Sequence, residues 1–294
     1  MYILNYWEGD VLRLGIKTTH GVIDVAAAAQ ALKLDLPASD PVAFMVAGQD
    51  ALPALATLAT QADQPGAVWL RGEDTLRLGP CVAQPGKLLC IGLNYREHAA
   101  ESGKAVPENP VVFSKFGNAL AASGDDVPLP PNVVQIDYEA ELAVVIGHTT
   151  HYVSEAEALD SVLGYCNAND VSARDVQYLS SQWLLGKTLD RFLPLGPYLV
   201  TADEIPDPQT LRVRSWLNGD LRQDSNTADM IFPVARLISH ISQFLRLEPG
   251  DVISTGTPPG VILGRAAKEW MKPGDTIEVE VGPLGRLRNS MVRE

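Results

Sequence analysis

Residues 135–147, QIDYEAELAVVIG, have the pattern of a buried β-strand that carries two acidic side chains. Side chains two positions apart in a strand point to the same face, so Glu139 and Glu141 share a face with Ala143 and Val145. Burying two like charges is costly unless a cation compensates them or the carboxyl pKa rises. The pair is therefore either a solvated edge of a sheet or part of a buried cation site.

A third carboxylate, Asp170, follows the strand-like segment LGYCNA (163–168). The following residues can begin a helix or a turn, so Asp170 is either a helix N-cap or a third ligand at the strand end. Three carboxylates without a His or Cys suit a hard cation, Mg²⁺ or Mn²⁺ with Ca²⁺ as an alternative, better than zinc. Glu139, Glu141 and Asp170 are therefore candidate ligands of one cation, and the solvated edge and the helix N-cap remain the alternatives.

A second acidic and basic cluster lies in GLNYREHAAESG (92–103), where His98 and Glu101 are three residues apart. On a helical turn both side chains lie on one face, as an imidazole base oriented by a carboxylate requires. The alternative is a solvated helix face. Gly103, directly after the pair, indicates a loop that can move.

Three further residues have two interpretations each. Lys187, among apolar neighbours in LLGKTLDRF (184–192), is either a buried cation beside the carboxylates or a lysine that reaches the surface. Arg174 either pairs with Asp170 or binds an anionic ligand. Thr257, in STGTPPGV (254–261), lies either in an ordinary turn or in one that binds a carboxylate.

Composition excludes several classes of protein. The formal charge of −13 over 294 residues, without a basic patch, argues against nucleic-acid binding. No apolar run approaches the roughly 18 to 20 residues of a membrane span, and the N-terminus lacks the pattern of a secretory signal. We expect a cytoplasmic protein without a membrane partner, whose cysteines, Cys81, Cys90 and Cys166, are reduced core thiols.

The sequence pattern changes near residue 80. Residues 1–80 contain a strand-like start and two Ala-rich helical stretches, and we predict that they form a small N-terminal domain. Residues 81–294 consist mostly of short apolar runs separated by Gly and Pro, which predicts a mixed or antiparallel β architecture. Helices are expected near Ser154 and Pro233, so the fold class is α+β.

In their order along the chain, these segments resemble the fumarylacetoacetate hydrolase family. The matching stretches are GLNYREHAAESG, FSKFGNALAASGDDVPLP, DYEAELAVVIG, GYCNANDVSARDVQ, GKTLDRFLPLGPYLVT, STGTPPGV and KPGDTIEVEVGPLGRLRNSMV, which span residues 85–293. The resemblance implies a catalytic domain with a mixed β-sheet roll over residues 81–294, and a homodimer.

The resemblance also implies roles for individual residues. Glu139, Glu141 and Asp170 match the metal ligands, and His98 and Glu101 match a water-activating pair on a mobile lid. Lys187 matches the lysine that polarises the substrate, and Arg174 and Thr257 match residues near bound substrate.

The activity that the resemblance implies is hydrolysis of a carbon–carbon bond in an acylpyruvate or 2,4-diketo acid, with metal chelation of the dicarbonyl. The products would be a 2-oxo acid, commonly pyruvate, and a second acid. The same site supports two alternatives, an oxaloacetate-type decarboxylase and a keto–enol isomerase of aromatic catabolism. A third alternative, from another class, is a protein that binds a dicarboxylate without turning it over.

Overall fold

The computed structural model describes residues 1–101 and 103–294. The strands are β1 Tyr2–Glu8, β2 Val11–Thr18, β3 Gly21–Asp24, β4 Leu70–Arg71, β5 Arg77–Gly79, β6 Leu88–Gly92, β7 Val111–Lys115, β8 Leu120–Ala121, β9 Asp126–Leu129, β10 Ile136–Asp137, β11 Ala140–Ile146, β12 Val162–Asn169, β13 Ser172–Ala173, β14 Leu193–Thr201, β15 Arg212–Leu217, β16 Asp220–Asn226, β17 Val252–Ser254, β18 Thr276–Val281 and β19 Arg286–Arg293. The α-helices are α1 Val25–Leu32, α2 Pro41–Ala47, α3 Leu52–Ala62, α4 Arg96–Glu101, α5 Arg174–Gln177, α6 Leu184–Lys187 and α7 Val234–Ser242.

Most strands belong to two mixed sheets. The larger sheet has 12 strands, in the order β4-β3-β2-β1-β14-β12-β11-β17-β6-β7, with β5 paired to β1 and β8 paired to β14. The second sheet has five strands in the order β16-β15-β18-β19-β9, and β10 and β13 form a separate pair. The predicted α+β architecture with mixed sheets is confirmed.

Strand β11 lies inside the large sheet, between β12 and β17, and all seven of its residues are buried. Leu142 and Val144 pack into one hydrophobic core, which also contains Leu237 of α7. Ala143 and Val145 pack into a second core on the other face of the sheet. The strand is continuously apolar after Glu141 because both faces of the sheet are covered.

The N-terminal residues contribute to this sheet. Strand β1 pairs antiparallel with β14, with Tyr2 opposite Val200. Leu55 and Leu58 of α3 are buried in the second core together with Val145. The boundary that we predict near residue 80 remains a proposal, since the strands before it and after it share one sheet.

The helical stretch Pro41–Ala62 is long and apolar enough to cross a membrane by length and composition. It consists of α2, a 3₁₀ turn at Gly48–Ala51 and α3. Phe44, Leu55 and Leu58 are fully buried in the second core. Through these side chains the two helices pack against the second core.

The prediction of an α-helix near Ser154 is wrong. Residues 155–157 form a turn, Ala158–Ser161 is a 3₁₀ helix, and β12 begins at Val162. The apolar residues Val162 and Leu163 join the buried sheet instead of an amphipathic helix, because β12 pairs with both β11 and β14. The helix expected near Pro233 is present as α7. The three cysteines are free and buried, as expected.

Candidate metal centre and active site

The pairing of β11 with β12 brings the three predicted metal ligands together. Ala140 lies opposite Asn169, so Glu139 and Asp170 lie at the same end of the strand pair. The backbone N–H of Asp170 donates to the carbonyl oxygen of Glu139 at 3.0 Å. Carboxylate oxygens of Glu139, Glu141 and Asp170 lie within 4.8 Å of one another, and all three residues are buried. A solvated edge face is therefore excluded for the two glutamates.

Two buried lysines neutralise Asp170. Lys187 Nζ lies 2.8 Å from Asp170 Oδ2 and 2.7 Å from Glu139 Oε2. Lys115 Nζ lies 2.5 Å from Asp170 Oδ1 and also donates to the carbonyl oxygen of Val171 at 3.0 Å. Asp170 is thus part of a buried charge network, not a helix N-cap, and Lys187 is a buried cation and does not reach the surface.

Arg174 completes the charge network on the other side of Glu139. Its guanidinium lies 2.7 Å from Glu139 Oε1 and 2.8 Å from Asp137 Oδ2, and it donates to Gln177 Oε1 at 2.9 Å. The guanidinium does not pair with Asp170 among the described contacts. All of its donor groups have protein partners, because Nε also donates to Asp137.

Glu141 has a different environment from Glu139. Its Oε2 accepts hydrogen bonds from Ser254 Oγ at 2.5 Å and from the backbone N–H of Gly256 at 2.9 Å. Burial, together with the charges of Asp170 and Glu139, raises the pKa of Glu141 well above its ordinary value. Burial also opposes ionisation of Glu139, but Lys187 and Arg174 outweigh it and lower the pKa of that carboxyl.

The three carboxylates fit a hard divalent cation. Oxygens that share an ion at the usual 2.0 to 2.6 Å can lie no more than about 4 to 5 Å apart, which matches the 4.8 Å limit of the cluster. The raised pKa of Glu141 has the same implication, since a carboxyl between two like charges ionises readily only when additional positive charge is near. The residues could hold one cation, with oxygen from all three side chains.

His98 and Glu101 both lie on α4, as predicted, but they do not form a pair in the described contacts. Glu101 Oε2 accepts from the backbone N–H of Gly260 at 2.9 Å, and its other oxygen has no hydrogen-bond partner among residues 1–101 and 103–294. His98 is buried, and its Nδ1 likewise has no partner in the part of the chain that the structure describes. Burial lowers the pKa of His98 and raises that of Glu101. An orienting role for Glu101 remains a proposal.

Thr257 follows β17 and lines the same cavity as the acidic residues. Its hydroxyl donates to the carbonyl oxygen of Ala140 at 2.9 Å and accepts from Gln223 Nε2 at 2.8 Å. The side chain therefore connects the turn to β11 at Ala140, the residue before Glu141. Binding of substrate by Thr257 remains a proposal.

The cavity has a volume of about 40 Å³ and is lined by residues from several segments of the chain. Its lining combines Glu139 and Glu141 with His98, three cations and aromatic side chains: Ile91, Gly92, Leu93, His98, Lys104, Phe113, Glu139, Glu141, Arg174, Gln177, Tyr178, Trp183, Lys187, Thr257 and Leu263. Seven of the eight predicted site residues therefore either line one cavity or, like Asp170, bond directly to a residue that does. Glu101 contacts the loop at Gly260 instead.

Several residues of the site were not singled out from the sequence. Lys115, Asp137 and Ser254 each contact a predicted ligand or its partner, and Trp183 and Phe113 line the cavity. The signal for Lys115 was a lysine between apolar residues in VVFSKF, the same kind of signal that identified Lys187. Ser254 carries no comparable signal, because a serine at a strand end is common.

The chain belongs to the fumarylacetoacetate hydrolase family. Residues 87–292 match the model of the family's C-terminal region, described as fumarylacetoacetate (FAA) hydrolase C-terminal. Members of this family are enzymes that generally depend on a divalent metal, act on small molecules and are often oligomeric.

Individual relatives differ in the reaction that their names state. The chain is 46% identical over 213 residues to the oxaloacetate tautomerase FAHD2B, mitochondrial, of Bos taurus, covering 72% of this chain and 68% of the relative. It resembles the solved maleylpyruvate hydrolase from Sphingobium sp. SYK-6 at 28% identity and a TM-score of 0.78, with 100% of both chains covered. A 5-carboxymethyl-2-hydroxymuconate delta-isomerase from Mycobacterium smegmatis aligns at 29% identity and a TM-score of 0.75, again over 100% of both chains.

Proposed function

We propose that the protein is a metal-dependent enzyme that acts at the carbon next to the carbonyl of a small 2-oxo acid. Glu139, Glu141 and Asp170 would hold the cation, Mg²⁺ or Mn²⁺. The observation that carries the proposal is the convergence of these three buried carboxylates, two of which line the same cavity as His98. A divalent cation bound there supplies Lewis acidity, which withdraws charge from the carbonyl oxygen of the substrate.

His98 provides a base for this chemistry. Because burial lowers its pKa, the imidazole is neutral at pH 7 and can accept a proton. Its Nδ1 has no protein partner, and no hydrogen bond among the described residues holds the ring in one tautomer. A single neutral base is sufficient to move a proton from the carbon next to a carbonyl.

Lys187 provides positive charge in the same cavity. Its ammonium group contacts two of the three carboxylates and remains protonated, since the attraction of Asp170 and Glu139 outweighs the effect of burial and raises its pKa. A fixed cation beside the substrate oxygen stabilises the negative charge that develops there during proton removal.

Keto–enol tautomerisation of an oxaloacetate-type acid is the first candidate reaction. This reaction needs only one base. It therefore does not require a hydrogen bond between His98 and Glu101, and the described contacts contain none. The named activity of the bovine relative supports it.

Hydrolysis of an acylpyruvate or 2,4-diketo acid is the second candidate. Glu101 lies one helical turn from His98, and one of its oxygens lacks a partner among the residues that the structure describes. If Glu101 left Gly260 and oriented the imidazole, His98 could remove a proton from an attacking water. The named activity of the Sphingobium neighbour supports this reaction.

The test measures both reactions with the Mg²⁺-loaded protein. We expect faster conversion of enol-oxaloacetate to the keto form than Mg²⁺ alone gives, and loss of the acceleration with chelator or in Glu141→Ala. Cleavage of an acylpyruvate is measured in parallel. Activity that chelator and Glu141→Ala leave unchanged would refute the proposal, and oxalate binding without either turnover would indicate a binding protein.

Glu101→Gln separates the two reactions. Its amide oxygen can still accept the N–H of Gly260, but it cannot carry the charge that supports an imidazolium. We expect tautomerisation to persist in this variant and any hydrolysis to fall.

We also infer a homodimer in the cytoplasm, which the frequent oligomerisation of family members supports. Light scattering of the purified chain tests the dimer, and a mass of one chain, 31.7 kDa, would refute it.

A further inference from the structure

The cavity has an aromatic wall, which consists of Trp183 and Phe113. The two rings meet edge to face, with centroids 5.5 Å apart and an interplanar angle of 72°. Lys187 Nζ lies 5.2 Å from the centroid of the Phe113 ring. Lys187 therefore lies between the aromatic wall and the acidic cluster, since it also contacts Glu139 and Asp170.

Gly92 supports the wall from the end of β6. A Cβ at this position would lie 2.4 Å from Trp183 Cζ3 and 2.9 Å from Cη2, which is closer than real contacts allow. The backbone of Gly92 is outside the left-handed region, so its conformation does not require glycine. The indole ring is what excludes a side chain here, and Trp183 therefore lies against the β6 backbone at the cavity.

The wall leaves little room. The cavity volume of about 40 Å³ corresponds to about three water molecules at the 10 to 15 Å³ that each needs. The indole contacts Gly92 on one side and the Phe113 ring on the other, so both neighbours limit its movement away from the cavity. A substrate group that extends from the acidic cluster toward this wall must be short or must displace the indole.

We propose that Trp183, held between Gly92 and Phe113, determines the length of the substrate and restricts the enzyme to short 2-oxo acids. This inference rests on the proposed function, because it assumes that a 2-oxo acid binds at the acidic cluster.

The test is calorimetric binding of pyruvate, 2-oxobutanoate, 2-oxopentanoate and 2-oxohexanoate to the Mg²⁺-loaded protein. For the native chain we expect at least about tenfold weaker binding of 2-oxohexanoate than of pyruvate. In Trp183→Ala the order should reverse, with about fourfold tighter binding per added methylene, the ratio expected when one CH₂ leaves water. Trp216→Ala is the matched control, since Trp216 is also half-buried but lies on β15 outside the cavity.

Gly92→Ala tests the contact itself. The added methyl group should change the length profile of the native chain, and it should have no further effect in the Trp183→Ala background, since the clash requires the indole. Trp183→Phe keeps a ring at the wall and serves if Trp183→Ala does not fold.

The outcomes separate this inference from the proposed function. Failure of pyruvate and oxalate to bind the native chain would refute the proposed function and the inference with it. Binding of pyruvate with no dependence on chain length, or a length profile that Trp183→Ala leaves unchanged, would refute the inference alone. Equal effects of Gly92→Ala in both backgrounds would also refute it.

Discussion

Gly264→Ala tests whether Glu101 docks helix α4 over the cavity. A Cβ on Gly264 would lie 1.7 Å from Glu101 Oε1, 2.0 Å from its Cγ and 2.1 Å from its Cδ. The backbone of Gly264 is outside the left-handed region, so alanine adds no backbone strain there. The substitution must therefore displace the Glu101 side chain.

The displacement removes the hydrogen bond from the Gly260 N–H to Glu101, which is 2.9 Å long. A hydrogen bond to a charged group contributes about 1.5 to 3 kcal/mol, and about 1.4 kcal/mol corresponds to a factor of ten in an equilibrium. We expect the docked position of α4 to lose about 10- to 100-fold in its equilibrium constant. The apparent affinity for a ligand that needs this position falls by up to the same factor.

The assay is calorimetric titration of the Mg²⁺-loaded protein with oxalate, combined with hydrogen exchange of the α4 amides. Weaker oxalate binding and faster exchange are the expected results for Gly264→Ala. Gly117→Ala is the matched control, because no atom lies within 4 Å of its added Cβ and its φ is ordinary. Native affinity and native α4 protection in Gly264→Ala would refute the docking role of Glu101.

Three further predictions concern the residues around the cluster. Ser254→Ala removes one of the two hydrogen bonds that Glu141 accepts and should weaken Mn²⁺ binding about 10- to 100-fold, as titration calorimetry would show; unchanged affinity would contradict it. Because burial lowers the pKa of His98, kcat/KM of the native protein should stay constant as the pH falls through 6.5, the ordinary pKa of histidine, and should decrease only at the lower pKa of the folded state. The residual activity of His98→Asn should not show this decrease at acidic pH. Lys115→Met leaves Asp170 without one of its cations and should lower the free energy of unfolding of the metal-free protein by about 3 to 5 kcal/mol, measured with urea; a loss under about 1 kcal/mol would show that Lys115 is dispensable.

The acidic cluster could be predicted from the sequence because strand geometry is regular. Two-residue periodicity placed Glu139 and Glu141 on one face, and the end of the next strand placed Asp170 near them. The length of β11 and the position of α7 followed from continuous and periodic apolar runs. These features depend on the local periodicity of apolar residues, which can be read from a single sequence.

The partners of the cluster could not be predicted in the same way. The contact between Lys115, on β7, and Asp170, directly after β12, joins residues 55 positions apart, and β7 and β12 are not neighbours in the sheet. The position of Glu101 depends on the loop at Gly260, and nothing in the local sequence of α4 specifies that contact. The missing helix near Ser154 has a similar cause, since pairing of β12 with two strands outweighed local helical propensity.

The pairing of the N-terminal strand β1 with the main sheet also could not be predicted from the sequence pattern. A strand-like start was visible, but pairing of β1 with β14 joins residues about 200 positions apart. Long-range pairing of this kind is set by the whole sheet and not by the composition of either strand.

The most direct test of the metal site is calorimetric titration of Mn²⁺ into the native chain and Glu141→Ala. We expect one site per chain in the native protein and an affinity at least about 100-fold lower in the variant, because loss of a ligand exceeds the 10- to 100-fold effect of an outer partner. Glu155→Ala is the control, an exposed glutamate paired with Arg236. Equal Mn²⁺ binding by the native chain and a folded Glu141→Ala variant would contradict the assignment of Glu139, Glu141 and Asp170 as the metal site.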